Sequence, residues 1–253
     1  MSVFAILSRN IKWRFHNRVT IVMTVLQPFL WLTLYSAVAK ETMKNAGIEN
    51  YTAFILPGVI VLVSFSVCSS SGIMNYMMRN DGSFYRVLTA PVSRSAIVLG
   101  QLLEAVLCVL LEVAILGGVS IFYNVRIAIG AADILTLFFL LILMVFFMAG
   151  LSCGISLLLP NEAVYEAFMN TVVLPVFFLS SALFPADNTK GILRTVIYCN
   201  PFTHVINIFR DFLLRGKTME GRFLWVMALF LFLGSVGYLW ALYRLRTYHE
   251  FYR

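Results

Sequence analysis

Gln101, Glu104, Cys108 and Glu112 recur at spacings of three, four and four, which places all of them on one face of a helix. Two carboxylic acids and an amide on one stripe suit either the polar lining of a substrate route or hydrogen-bonded glue between helices. Desolvation in an apolar setting would favour their neutral, hydrogen-bond-donating form. Other groupings approach a chemistry and miss it. Arg215-Gly216-Lys217-Thr218 ends like a phosphate-binding loop, but the glycine required five residues before Gly216 is Asp211, whose carboxylate repels phosphate. Gly150-Leu151-Ser152-Cys153-Gly154 matches a G-x-S-x-G nucleophile pattern, yet it lies inside an apolar run, where Gly150 and Gly154 make a small-xxx-small packing face. The three histidines, His16, His204 and His249, fall in loops or at interfaces, away from Ser152. Cys68, Cys108, Cys153 and Cys199 lack metal-ligand spacing. No catalytic, metal or cofactor site is expected in the chain.

The elements that carry these residues follow from composition. Of 253 residues, 60% are apolar and only 12% charged, against about 45–50% and about 25% in an average soluble domain. So much apolar surface calls for lipid as solvent, and it excludes disordered, collagen-like and disulfide-stapled classes. The basic residues sit between apolar runs and form no nucleic-acid stripe, so the formal charge of +7 reads as membrane anchoring. Crossing the hydrocarbon takes about 20 apolar residues. Uncharged runs lie between Arg18 and Lys40, Glu49 and Arg79, Asp133 and Glu162, Glu166 and Asp187, and Arg222 and Arg244. A sixth, Arg94 to Arg126, carries Glu104 and Glu112. The run 195–209, broken by Pro201, is short for crossing and reads as re-entrant or interfacial. Six spans are therefore expected, in one transmembrane domain over residues 1–253.

Lys and Arg set the orientation. Arg9, Lys12, Arg14 and Arg18, with Arg79, Arg86 and Arg94 after the second run, outnumber Lys40, Lys44 and Arg126, so both the N-terminus and the second loop are expected in the cytoplasm. The basic residues of 187–221 blunt this bias, and charge counting alone does not separate six spans from seven. Residues 1–18 do not read as a signal peptide. Val3, Phe4, Leu7 and Ile11 share one helical side, which predicts an amphipathic helix in the interface; a frayed basic anchor is the alternative.

Between the second and third runs, segment 79–94 offers Asn80, Asp81, Gly82 and Ser83 as a helix start before Phe84, Tyr85, Arg86, Val87 and Leu88, with Thr89, Ala90 and Pro91 as a stop. A two-turn helix with exposed aromatics is poorly stable alone, which favours a docking element for a cytoplasmic partner over a plain turn.

These residues resemble the membrane subunits of type-2 ABC exporters along essentially the whole chain. Gly82-Ser83 and Pro91-Val92-Ser93-Arg94, followed by Gly100, fill the places of that family's cytoplasmic stretch, although Asn80 stands where an acid is usual and Asp81 lies beside it. Asn200-Pro201-Phe202-Thr203-His204, with Arg210 six residues on, is similar to its second signature. The resemblance implies an all-α integral membrane protein with six transmembrane helices, an N-terminal interfacial helix, a coupling helix at Asp81 to Leu88 and re-entrant helices within 187–221. It further implies a permease moving a drug, antibiotic or lipid out across the cytoplasmic membrane, with both termini cytoplasmic, amid membrane lipids and without nucleic acid. The partners implied are separate ABC ATPase subunits, which hold ATP and Mg, and a second copy of the permease or a paralogue. A polysaccharide or lipid-linked glycan exporter, or an ATP-independent secondary transporter, are the competing readings.

Overall fold

A computed structural model describes residues 3–16, 18–44, 51–123, 125, 130–183, 190–215 and 221–248. Its helices are α1 (Val3–Arg14), α2 (Arg18–Lys44), α3 (Tyr51–Asn80), α4 (Ser83–Thr89), α5 (Arg94–Phe122), α6 (Ala131–Leu158), α7 (Glu162–Phe178), α8 (Ile192–Cys199), α9 (Pro201–Arg215) and α10 (Arg222–Thr247), with no strand among the described residues. Four of them, Tyr51–Asn80, Arg94–Phe122, Asp133–Leu158 and Arg222–Thr247, are long and apolar enough to cross a membrane, and Val22–Ala37 in α2 is a shorter apolar stretch. The chain is an all-α membrane protein.

α3 is the axis of the bundle. Its most apolar stretch is 83% buried, against 22% for that of α10. A helix that is apolar all round has no preferred outer face and settles in the middle, while α10 leaves Leu231, Phe232 and Leu239 outside. α6 joins α3 to α10 through glycines. A Cβ on Gly150 would lie 2.8 Å from the carbonyl carbon of Gly237, and one on Gly154 would enter the Trp240 ring. Lipid supplies no hydrophobic drive between helices, so association rests on such close approach. Gly154→Leu should therefore cost several times more stability than Ser152→Ala, which we expect at about 1–3 kcal/mol for lost buried hydrogen bonds. Thermal unfolding in detergent measures both; equal losses would refute the seam.

The structure departs from the sequence-based expectations at the fifth expected span. The fifth expected span is 17 residues long and ends at Phe178, about 25 Å at 1.5 Å per residue, well before Asp187. Its end is tied off: the Leu179 amide donates to the Pro175 carbonyl, and the Asn200 amide donates to the carbonyls of Val176 (2.7 Å) and Leu179 (3.0 Å). The run 195–209 is broken at Pro201, where the sequence placed the interruption: α8 ends at Cys199 and α9 begins at Pro201, since Pro at the first helical position starts a helix and cannot continue one. In α1 the inward positions are Ile6 and Asn10, while Phe4 is 76% exposed. Ile6 packs where Gly100 of α5 has no side chain: a Cβ there would come within 2.6 Å of it.

Candidate functional site

At the end of the bundle where α3 gives way to α4, the chain turns on Gly82, whose φ of 72° lies in the left-handed region that glycine enters freely. No side chain caps α4 at Gly82; instead the Asp81 carboxylate accepts from the Ser83 amide at 2.8 Å. The two hydrogen bonds from Ser83 hold the Asp81 carboxyl below its usual pKa. The helix covers Ser83–Thr89, one residue beyond the expected segment. Its aromatics are not all exposed, as the sequence suggested. Phe84 and Leu88 are 2% and 8% exposed, whereas Tyr85 is 46% exposed and Arg86 lies outside with it. Val87 packs partly on the core. α4 thus has an inner face gripping the bundle and an outer face free of it.

The inner grip centres on Arg79, the penultimate residue of α3. Its guanidinium carbon stands 4.8 Å from the Tyr76 ring centre, 5.5 Å from that of Phe84 and 4.8 Å from that of Tyr248. It also donates to the Ser156 carbonyl in the last turn of α6 at 2.8 Å. The Phe84 and Tyr248 rings meet edge to face at 5.4 Å. Each cation–π contact stabilises by about 0.5–2 kcal/mol depending on desolvation. Arg79 and Tyr248 were not singled out by spacing; a basic residue at a helix end reads as an anchor, and ring partners this far apart in sequence leave no local pattern.

α1 reaches the same region. Arg9 donates to the Met78 sulfur at 3.2 Å, and burial lowers its pKa while the Asp81 charge acts against that. Arg14 forms an ion pair with Glu104 at 2.7 Å. Burial opposes the Arg14 charge, but the Glu104 carboxylate outweighs it and leaves its pKa raised. Glu104 also accepts from Ser71 of α3 at 2.7 Å and sits 3.4 Å from the Cys108 sulfur. Of the two acids expected on this face, Glu104 has a cation beside it in Arg14. Gln101 donates to the Ser71 carbonyl at 2.8 Å and accepts from Cys153 of α6 at 3.2 Å. Gln101 and Glu104 therefore join four helices, α1, α3, α5 and α6. Glu112 lies two turns further along α5, 4% exposed, and its Oε2 has no hydrogen-bond partner among the described residues.

Ser152 does not sit as a nucleophile would. It is fully buried, donates to the Cys68 carbonyl and lies 2.6 Å from the Tyr165 hydroxyl, which in turn donates to the Ser69 carbonyl at 2.9 Å. Gly72 makes room for this contact; a Cβ there would collide with the Tyr165 hydroxyl. The tyrosine thereby fastens α7 to α3 and α6. The lysine and glycine of the near-miss phosphate loop, Lys217 and Gly216, lie outside the described residues.

At the opposite end, the Asn200-to-Arg210 motif folds into one lock. Asn200 uses its amide on α7 and its side-chain oxygen on the Phe202 amide at 3.0 Å, while Pro201 opens α9. Phe202 packs on Phe65 with ring centres 4.7 Å apart, and Thr203 is fully buried. His204 stays at the rim, 3.0 Å from the Tyr198 carbonyl and edge-on to Trp225. Arg210, 7% exposed, donates to the carbonyls of Phe54 (3.2 Å) and Ser181 (2.7 Å) and lies 3.7 Å over the Phe54 ring.

Between the two ends lies a cavity of about 470 Å³, lined by Phe65 and Cys68 of α3, Phe147, Leu151 and Ile155 of α6, Phe168, Met169 and Val172 of α7, and Val196, Cys199, Asn200, Pro201 and Phe202 of the α8–α9 hairpin. Apart from the Cys68 and Cys199 thiols, its one polar side chain among the described residues is Asn200, whose amide is already committed to the end of α7. A cavity of this size, lined this way, suits a sizeable apolar group better than a hydroxyl-rich one.

Residues 1–214 match the sequence profile of the family described as ABC-2 type transporter. Relatives include a protein named as transport permease ycf38 in Cyanophora paradoxa, 28% identical over 195 residues, covering 76% of this chain and 67% of that protein. Its namesake in Pyropia yezoensis is 29% identical over 206 residues, covering 80% and 70%. The polysialic acid transport protein KpsM of Escherichia coli is 25% identical over 259 residues, covering 97% and 93%. With a matched span this long and a bundle of apolar helices to carry it, the chain belongs to the ABC-2 type transporter family, as a membrane-embedded transport permease.

Proposed function

We propose that this permease moves a hydrophobic or amphipathic compound, a drug, antibiotic or lipid, outward across the cytoplasmic membrane, energised by separate ATPase subunits and working as a pair of membrane subunits. The observation that carries the substrate class is the apolar cavity between α3, α6, α7 and the hairpin. The outer face of α4, with Tyr85 and Arg86, is the foothold for the ATPase, and its closure on ATP would drive the bundle between two access states. Membership of an ABC transporter family supports pairing with ABC ATPase subunits. A second reading, export of a polysaccharide or lipid-linked glycan, draws on the match to KpsM over 97% of this chain. The lining of the cavity weighs against it, since sugar hydroxyls entering there would leave their hydrogen bonds unmade.

The test is transport into proteoliposomes holding the permease together with its ATPase. Amphipathic compounds should stimulate ATP hydrolysis and accumulate, and Met169→Asp in the cavity wall should reduce that accumulation at least about tenfold, the equivalent of about 1.4 kcal/mol. Stimulation by glycans alone would favour the second reading. Uptake by the permease alone, driven by an ion gradient without ATP, would defeat both.

A further inference from the structure

α4 is held to the bundle by two buried anchors, with Val87 packed partly beside them. Phe84 and Leu88 are its buried side chains, while Tyr85 and Arg86 face away. The backbone after α4 runs through Ala90 to Ser93 directly into α5, so a push on α4 reaches α5 along the chain itself. Nothing covalent near α4 leads to α6 or α10. Beside the packing of α5 on α6 and α10, a direct link from α4 to those helices is the cluster around Arg79. One guanidinium faces the Phe84 ring of α4 and the Tyr248 ring that follows α10, and it donates to the Ser156 carbonyl of α6. Phe84 and Tyr248 also touch each other directly.

We propose that Arg79 is a positioning residue that fastens α4 to the ends of α6 and α10, with Tyr248 as its second jaw, so that displacement of α4 is transmitted across the bundle as well as along the chain. Because α6 and α10 share the glycine seam at Gly150 and Gly237, a pull on either end moves both. Lysine is a poor substitute for Arg79, since a point charge cannot present a flat face to a ring and a second donor to a carbonyl at once. The inference rests on the ATP-driven reading given above, but it concerns how force travels, not what is carried.

The experiment uses the whole permease–ATPase complex in proteoliposomes and reads three quantities: recovery of the complex, ATP hydrolysis, and substrate moved per ATP. Arg79→Gln and Tyr248→Ala should leave the complex assembled and hydrolysis within about twofold of the parent, while substrate per ATP falls at least about fivefold. Tyr248→Phe, which keeps the ring, should couple like the parent. Unchanged substrate per ATP in both Arg79→Gln and Tyr248→Ala, with a parent that transports, overturns the joint alone. So does a Tyr248→Phe variant as uncoupled as Tyr248→Ala, or loss of the assembled complex in both primary variants, which would make the cluster a folding element. A parent complex that moves no substrate with ATP overturns the reading under which the joint was inferred.

Discussion

Glu104→Ala is expected to destabilise the solubilised permease by about 3–5 kcal/mol, the usual consequence of stranding one member of a buried ion pair. Glu104 is fully buried and the Arg14 side chain only 11% exposed, so the remaining cation would have little access to water. Ser71 would lose its acceptor in the same substitution. Glu104→Gln should recover part of the loss, because an amide oxygen can still accept from Ser71, but it leaves the Arg14 charge unbalanced. The double variant Arg14→Met, Glu104→Leu should regain most of the stability, since apolar replacement of a buried pair is often neutral. Thermal unfolding of the four proteins in one detergent decides the matter. A Glu104→Gln protein as stable as the parent would show that the acid works neutral after all and that the ion pair adds nothing.

Arg210→Ala should be the second severe change, and a local one. The guanidinium answers backbone carbonyls from two separate places, Phe54 in α3 and Ser181 after α7, while its flat face covers the Phe54 ring. Hydrogen bonds from a charged donor contribute about 1.5–3 kcal/mol each, so losing both should cost at least about 3 kcal/mol and free α9 from α3. Hydrogen exchange should then quicken in α9 and around Phe54 while α6 and α10 keep their protection. Arg210→Lys should not rescue, because one ammonium cannot span both carbonyls and the ring. Exchange in α9 unaltered by Arg210→Ala would sink the idea that this residue locks the hairpin.

Helix type and the approximate limits of the apolar runs were legible because lipid allows so few backbone solutions: a long uncharged stretch must be helical. The break at Asn200-Pro201 was legible for the same kind of reason, since proline leaves no choice about hydrogen bonding. The early end of α7 was not, because it depends on the Asn200 amide arriving from a separate element to satisfy carbonyls at Val176 and Leu179. Likewise, periodicity grouped Gln101, Glu104 and Glu112 correctly on one buried face but could not distinguish Glu104, which meets Arg14, from Glu112, which does not hydrogen-bond through Oε2 to any described residue. The partner of a buried carboxyl lies ninety residues away in the chain, where no local pattern reaches it. In α4 the composition announced a docking helix, yet only the packing against Tyr248 reveals which of its two aromatics is turned inward.

The glycine seam between α6 and α10 has a consequence for how such a permease can diversify. With Gly150 and Gly154 pressed against Gly237 and Trp240, a side chain at either α6 glycine would collide with α10, whereas Phe168 and Val172 of α7 border the cavity at 43% and 44% exposure with room to change. On the proposed reading, substitutions on the α7 wall and the hairpin can reshape the cavity at lower steric cost than changes at the glycine seam.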